Sequence, residues 1–199
     1  MVDPYLVATA TLLLVAGHET TVNLLGNGML TLLRHPAILE GLRNEPDLIP
    51  AAVEEMLRYE PPVHFIPNRT TLDEVALAGT TIPRGVIVTL ALAAGNRDPA
   101  RFAEPDRFDP ERPDNAHLGF GSGIHSCFGA PLARIEAQIA FTALVQRLEQ
   151  PRLVVDPPPY RPSPLLRGPE HLLIDVEGVR GSGEPFRPQR VPTTGALSC

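Results

Sequence analysis

The stretch Phe120-Gly121-Ser122-Gly123-Ile124-His125-Ser126-Cys127-Phe128-Gly129-Ala130-Pro131-Leu132-Ala133-Arg134 sets a single cysteine in a glycine-rich loop that runs straight into a helix. Gly121, Gly123 and Gly129 let the backbone turn tightly and let a large flat group come close. Pro131 is tolerated in the first turn of the helix that the pattern predicts over 131–149. The positive end of that helix faces the sulfur, an arrangement that suits a negatively charged thiolate. A lone thiolate in such a cradle is a metal ligand or a nucleophile. Without its flanks, the same residue would read as a buried or redox-active cysteine. The other cysteine, Cys199, ends a glycine- and proline-rich tail, so there is no disulfide framework.

The rest of the chain is built like an ordinary globular protein. Its 199 residues are enough for one domain with a sizeable core, at 43% hydrophobic and 20% charged. A net charge of -6 argues against a nucleic-acid partner, and no basic run contradicts it. The apolar run from Tyr5 to Ala16 is too short to span a bilayer. Asp3 stands where a signal peptide would carry positive charge. A buried helix, a cytoplasmic location and no membrane partner are expected.

Along the chain, residues 4–34 read as one long helix, apolar on nearly every face at its start and therefore expected to be buried all round. Gly17, Thr20 and Thr21 predict a local bulge near its middle. His35-Pro36 ends it. Shorter helices are predicted over 37–43 and 47–59, the second closed by Pro61-Pro62. Between 63 and 90, β-prone pieces alternate with turns at Gly79 and Arg84-Gly85. Residues 96–126 form a long irregular segment. Two strands are predicted at Leu153–Val155 and Leu172–Val176. The domain is expected to cover 1–177, with a disordered tail over 178–199. No internal repeat occurs.

The loop resembles the haem-ligand loop of the cytochrome P450 family, in the pattern Phe-Gly-x-Gly-x-His/Arg-x-Cys-x-Gly. Four further stretches are similar to that family and come in its order. They are Ala16-Gly17-His18-Glu19-Thr20-Thr21, Glu55-Met56-Leu57-Arg58, Asn96-Arg97-Asp98-Pro99 and Phe108-Asp109-Pro110-Glu111-Arg112. The ligand loop is strongly specific, whereas the others would be weak alone. The resemblance runs from about residue 5 to about residue 176 and covers only the carboxy-terminal half of the family's fold, mainly α with a small mixed β-sheet. The chain is then either a fragment of a longer gene or a truncated product. It has no tryptophan, a residue that the other half often brings to the haem.

The resemblance implies a set of roles. Cys127 is the axial thiolate ligand of haem b. Gly121, Gly123 and Gly129 pass beneath the porphyrin, and Phe120 packs on its proximal face. His125 and Arg69 hold its propionates through charge-assisted hydrogen bonds. Glu19 and Thr20 deliver protons to dioxygen, a task that suits an alcohol joined by a carboxylate to solvent protons. The alternative for Thr20 is an ordinary back-bond within its helix. Ala16, Gly17, Val63, His64 and Phe65 line the substrate pocket, although His64 could equally cap its turn. His18 points away from the iron. Glu55 and Arg58, three apart on one helix face, are a buried structural pair tied to the irregular segment through Arg112, while Glu54 points elsewhere. His35, His117 and His171 are structural or exposed.

The implied activity is insertion of one oxygen atom from dioxygen into a small organic substrate. Electrons would come from NAD(P)H through a separate ferredoxin and reductase, docking near Cys127 and Arg134. One rival is a truncated, catalytically incompetent fragment. The other is a haem-binding sensor, against which Glu19-Thr20 argues, because a sensor needs no proton delivery.

Overall fold

The computed structural model describes residues 3–181. Helix α1 spans Pro4–Arg34. The Asp3 carboxylate accepts a hydrogen bond from the Tyr5 N–H at 2.9 Å, and Pro4 opens the helix where no N–H is needed. The helix stops at His35, because Pro36 disfavours helical angles in the residue before it. Helix α2 follows at Pro36–Asn44, then a 3-10 turn at Pro46–Leu48 and helix α3 at Ile49–Tyr59.

Two expectations for α1 are corrected. The helix is continuous through Gly17, Thr20 and Thr21, with no bulge. The Thr20 hydroxyl donates back to the Ala16 carbonyl at 2.7 Å, which lets threonine sit mid-helix without opening the ladder. The first half is also not buried: every residue from 3 to 18 is exposed, including Leu14 at 72% and Tyr5 at 83%. Burial all round needs neighbours on all sides, and the described residues pack none against these turns. By length and hydropathy α1 could cross a membrane, but its second half lies inside the core, where Leu24, Met29 and Leu32 are at most 3% exposed.

Strand β1 (Phe65–Thr70) opens a section of short strands with β2 (Val75–Leu77), β3 (Thr80–Ile82) and β4 (Ile87–Ala91). The β2–β3 hairpin turns on Ala78 and Gly79, both at positive φ, the geometry of the tightest two-residue connections. β1 pairs with β4 through a register shift between Ile66 and Arg69. One turn of helix, α4 (Leu92–Gly95), leads into the irregular segment. Helix α5 (Ala130–Arg147) then runs into β5 (Leu148–Glu149) and β6 (Arg152–Leu153), and the chain returns as β7 (Ile174–Asp175) and β8 (Gly178–Val179). β6·β7 nests inside β5·β8.

The fold is thus mainly helical with little sheet, as expected. Its strands form four antiparallel pairs among the described residues, rather than one mixed sheet, because each connection simply turns the chain back on itself. The expected tail boundary shifts too. Gly178 and Val179 pair with Glu149 and Leu148, so order extends past 177. Cys199 and the rest of the expected tail from 182 onward lie outside the described residues.

The core gathers the second half of α1 with α2, α3 and α5, around Leu42, Ile49, Val53, Met56, Phe108, Phe141 and Val145. The contact is close at Gly28. A Cβ there would stand 2.4 Å from Phe141 Cζ and 2.7 Å from Met56 Sδ, so glycine lets α1 lie against α3 and α5.

Candidate haem-thiolate site

Helix α3 is the base on which the irregular segment is hung. Arg58 and Glu55 are fully buried and joined by two hydrogen bonds, Nε to Oε2 at 2.7 Å and Nη2 to Oε1 at 2.8 Å. Burial of a bare ion pair would be costly, but here nearly every remaining lone pair and proton is used. Arg58 donates to the carbonyls of Asn96, Pro105 and Arg107 at 2.8–3.0 Å. Glu55 accepts from the Asp109 N–H at 2.9 Å, from Asn115 Nδ2 at 3.2 Å and from Arg112 Nε at 3.3 Å. Residues Asn96 to Asn115, which have almost no secondary structure of their own, are thereby fixed to one helix.

The cysteine loop follows. Gly121 N–H donates to the Leu118 carbonyl and Cys127 N–H to the Phe120 carbonyl, both at 2.9 Å. Gly121 and Gly123 sit at φ 71° and 73°, a region that side chains with a Cβ rarely enter. A 3-10 turn at Gly123–His125 brings the chain round, and the Cys127 carbonyl accepts the Ala130 N–H at the start of α5. A Cβ at Gly129 would lie 3.7 Å from Cys127 Sγ, at the edge of contact with the sulfur. Cys127 itself is exposed and unpaired. Around it Ile124, Phe128 and Leu132 are 97%, 80% and 61% exposed. An accessible sulfur set in an exposed apolar rim fits a flat apolar macrocycle bound through iron. The remaining donors also fit: His125 and Arg69 are both exposed and in no ion pair among the described residues.

The other sequence-predicted residues fall in two places. Glu19 and Thr20 are half-buried on α1, and Ala16 and Gly17 are exposed beside them. A Cβ on Gly17 would meet nothing within 4 Å. No hydrogen bond or ion pair joins Glu19 or Thr20 to the cysteine loop among the described residues; the Thr20 hydroxyl is held by Ala16. Val63 pairs with Leu166, and the His64 N–H donates to the Leu165 carbonyl at 2.9 Å. His64 Nε2 is buried with no partner. Burial, with the charge of Arg167 added, holds the His64 pKa below the ordinary value and keeps its imidazole neutral. Phe65 is exposed at the start of β1. A small cavity lined by Thr31, Arg34, His35, Tyr59, Glu60 and Tyr160 takes no residue from the cysteine loop.

Some contributors were not assigned a role from sequence. Asn96 is fully buried; its Oδ1 accepts the Leu118 N–H at 2.7 Å and its Nδ2 donates to the Leu57 carbonyl at 3.3 Å. Arg97 lies 3.9 Å over the Tyr59 ring and donates to the Tyr59 carbonyl. Their signal was the Asn96-Arg97-Asp98-Pro99 stretch, which had no function attached. Arg134, near which a docking face was expected, forks onto Glu54, and His117 bonds to the same carboxylate.

Comparison with known proteins joins these observations. The family model described as Cytochrome P450 matches residues 1–175. The chain is 51% identical over 171 residues to Cytochrome P450 107B1 of Saccharopolyspora erythraea, covering 85% of this chain and 42% of that protein. It is 50% identical over 182 residues to Cytochrome P450 monooxygenase PikC of Streptomyces venezuelae, covering 89% and 43%. The tirandamycin C-bound P450 monooxygenase TamI superposes with a TM-score of 0.83 at 47% identity, over 86% of this chain and 43% of that one. The chain thus spans about two fifths of the length of the proteins it matches. The family model covers most of the chain and about half of the aligned residues are identical to those of each of these two relatives, so the chain belongs to the cytochrome P450 family.

Proposed function

We propose that this chain carries the thiolate side of a haem-thiolate monooxygenase acting on a small organic substrate. Cys127 would be the axial ligand, and the observation that carries the reading is its bare, accessible sulfur within an apolar rim. When bound, haem with a thiolate ligand supplies dioxygen activation. The chain's own residues then have separable tasks. Gly121 and Gly123 hold the loop in a shape that leaves the sulfur uncovered. His125 and Arg69, both with unused donors, would bind the two propionates. Glu19 and Thr20 would hold and pass protons at the Thr20 hydroxyl, which already has its own proton engaged with Ala16 and so has lone pairs free to accept. His64, neutral and with one ring nitrogen unpartnered, would meet the substrate together with Val63, Phe65, Ala16 and Gly17.

Electrons would arrive from NAD(P)H through a ferredoxin and its reductase, since the sequence has no flavin or nicotinamide motif of its own. A cytoplasmic location is part of this proposal, supported by the core's use of the second half of α1, the one long apolar helix among the described residues. A second reading is favoured by one specific observation. The first half of α1 is exposed and apolar, and the relatives are more than twice as long. By itself, therefore, this chain would bind haem without enclosing a substrate.

The test is the reduced carbon monoxide difference spectrum of the purified chain after haem addition. Wild type is expected to give the red-shifted band of thiolate ligation, and Cys127→Ser to lose it. An identical spectrum for both, or no such band in wild type, would sink the ligand assignment. A normal band without turnover of any substrate when a reductase system is supplied supports the second reading.

A further inference from the structure

We infer that Glu54 is a positioning residue for the Cys127 loop, acting through His117 and Arg134 rather than by touching the sulfur. Glu54 and Glu55 are neighbours on α3 but serve different parts of the segment. Glu55 binds Asp109, Arg112 and Asn115. Glu54 takes over where those contacts end. Its two oxygens receive Arg134 Nε at 2.7 Å and Nη2 at 2.9 Å, a bidentate fork from the first turns of α5. Oε2 also meets His117 Nε2 at 3.1 Å. One carboxylate therefore grips the chain just before the cysteine loop and again just after it.

The hydrogen bonds of His117 fix its tautomer. The Gly119 N–H donates to His117 Nδ1 at 3.0 Å, so Nδ1 is the acceptor and the ring proton sits on Nε2, aimed at Glu54. The His117 side chain is only 4% exposed. Phe120 lies between the two grips. Arg134 stands 4.6 Å over its ring, the His117 ring centroid is 6.0 Å away, and its carbonyl accepts the Cys127 N–H. Motion of either grip would pass to the Phe120 carbonyl and so to the cysteine amide. Burial pushes the Glu54 carboxyl up, but the hydrogen bonds from His117 and Arg134 outweigh it and hold the carboxyl at about 2. The clamp is therefore charged at any ordinary pH. Its purpose rests on Cys127 being the haem ligand, whereas its geometry does not.

The experiment compares wild type, Glu54→Gln and Arg134→Lys as full 199-residue chains. Amide hydrogen exchange is read at Gly119 and Cys127, with Phe141 in the core as the internal control. Glu54→Gln keeps the shape but loses the charge, and exchange at Gly119 and Cys127 is expected to rise about tenfold or more while Phe141 is unchanged. Arg134→Lys keeps the positive charge near the sulfur but cannot fork, and is expected to behave like Glu54→Gln. After haem addition, both variants should show a smaller share of the thiolate-type carbonyl band than wild type. Unchanged exchange in Glu54→Gln overturns the inference, and so does wild-type behaviour of Arg134→Lys in both readouts. A wild-type chain without the thiolate band removes the ligand reading instead, and the clamp is then decided by exchange alone.

Discussion

The Glu55–Arg58 node on α3 and the Cys127 loop both shape the irregular stretch that runs from Asn96 into α5, yet they are held in opposite ways. At the node every partner is present: both side chains are fully buried, and their hydrogen bonds reach six residues between Asn96 and Asn115. At the loop the backbone is fixed, but the sulfur and the apolar side chains beside it face outward. The same contrast divides α1, whose second half is core and whose first half is bare. The chain is thus self-sufficient in what shapes the site and open in what the site would hold. Substitutions at the closed part should be read out as folding, and those at the open part as binding or chemistry.

The sharpest way to break that contrast is Arg58→Ala. It leaves the Glu55 carboxylate buried with no countercharge but Arg112, strips the carbonyls of Asn96 and Pro105 of their side-chain donor, and leaves the Arg107 carbonyl with Arg112 alone. A loss of about 3–5 kcal/mol is expected, which denaturant titration would record as little or no folded chain. A normal yield with an unshifted midpoint would make the node superficial. Next in size is a pair of glycine substitutions on α1. Gly28→Ala drives a methyl group into Phe141 and Met56 and should cost about 1–3 kcal/mol. Gly17→Ala meets open space and should stabilise by about 0.5–1 kcal/mol through helix propensity. Equal effects at both positions would erase the division of the helix into a packed and an open half.

What the sequence revealed follows the same line. The helix ends at His35-Pro36 and Pro131 were legible because proline acts locally through its fixed φ, whereas the Asp3 cap was seen only in the fold. The cysteine loop was legible because its glycines and cysteine are contiguous. The Glu55–Arg58 pair could be placed on one face because the two residues are three apart. Glu54 could not be assigned, since its partners lie 63 and 80 positions away and only folding brings them together. The exposure of Leu12, Leu13 and Leu14 was misjudged for a related reason: hydropathy states what a helix should bury, not whether a partner surface is there. The bulge expected at Gly17-Thr20 failed because a mid-helix threonine can satisfy its hydroxyl on the preceding turn.

A smaller effect separates Glu54 from ordinary surface carboxylates. Its pKa falls from 4.5 in the unfolded chain to about 2 in the folded one. A group depressed in this way stabilises the fold fully above its unfolded value. That contribution fades as pH drops from 4.5 towards about 2, where the folded carboxylate also takes a proton. The stability gap between wild type and Glu54→Gln should therefore narrow across that window and be constant above it. A gap that does not change with acid would mean that the charge of Glu54 contributes nothing.

The smallest stability change is expected at Thr20, which makes it the most discriminating test of the open side. Its hydroxyl bonds only to Ala16, one turn earlier on the same helix, and alanine is the better helix former. Thr20→Ala should therefore leave the denaturation midpoint within about 0.5 kcal/mol of wild type. If the hydroxyl only closes a local back-bond, nothing else should change. If it also holds a proton for the chemistry, a catalytically competent assembly carrying the substitution should consume electrons without matching product and release more hydrogen peroxide. Unaltered stability with lost coupling would place the role of Thr20 in the reaction, while unaltered stability with intact coupling would reduce it to a helix residue.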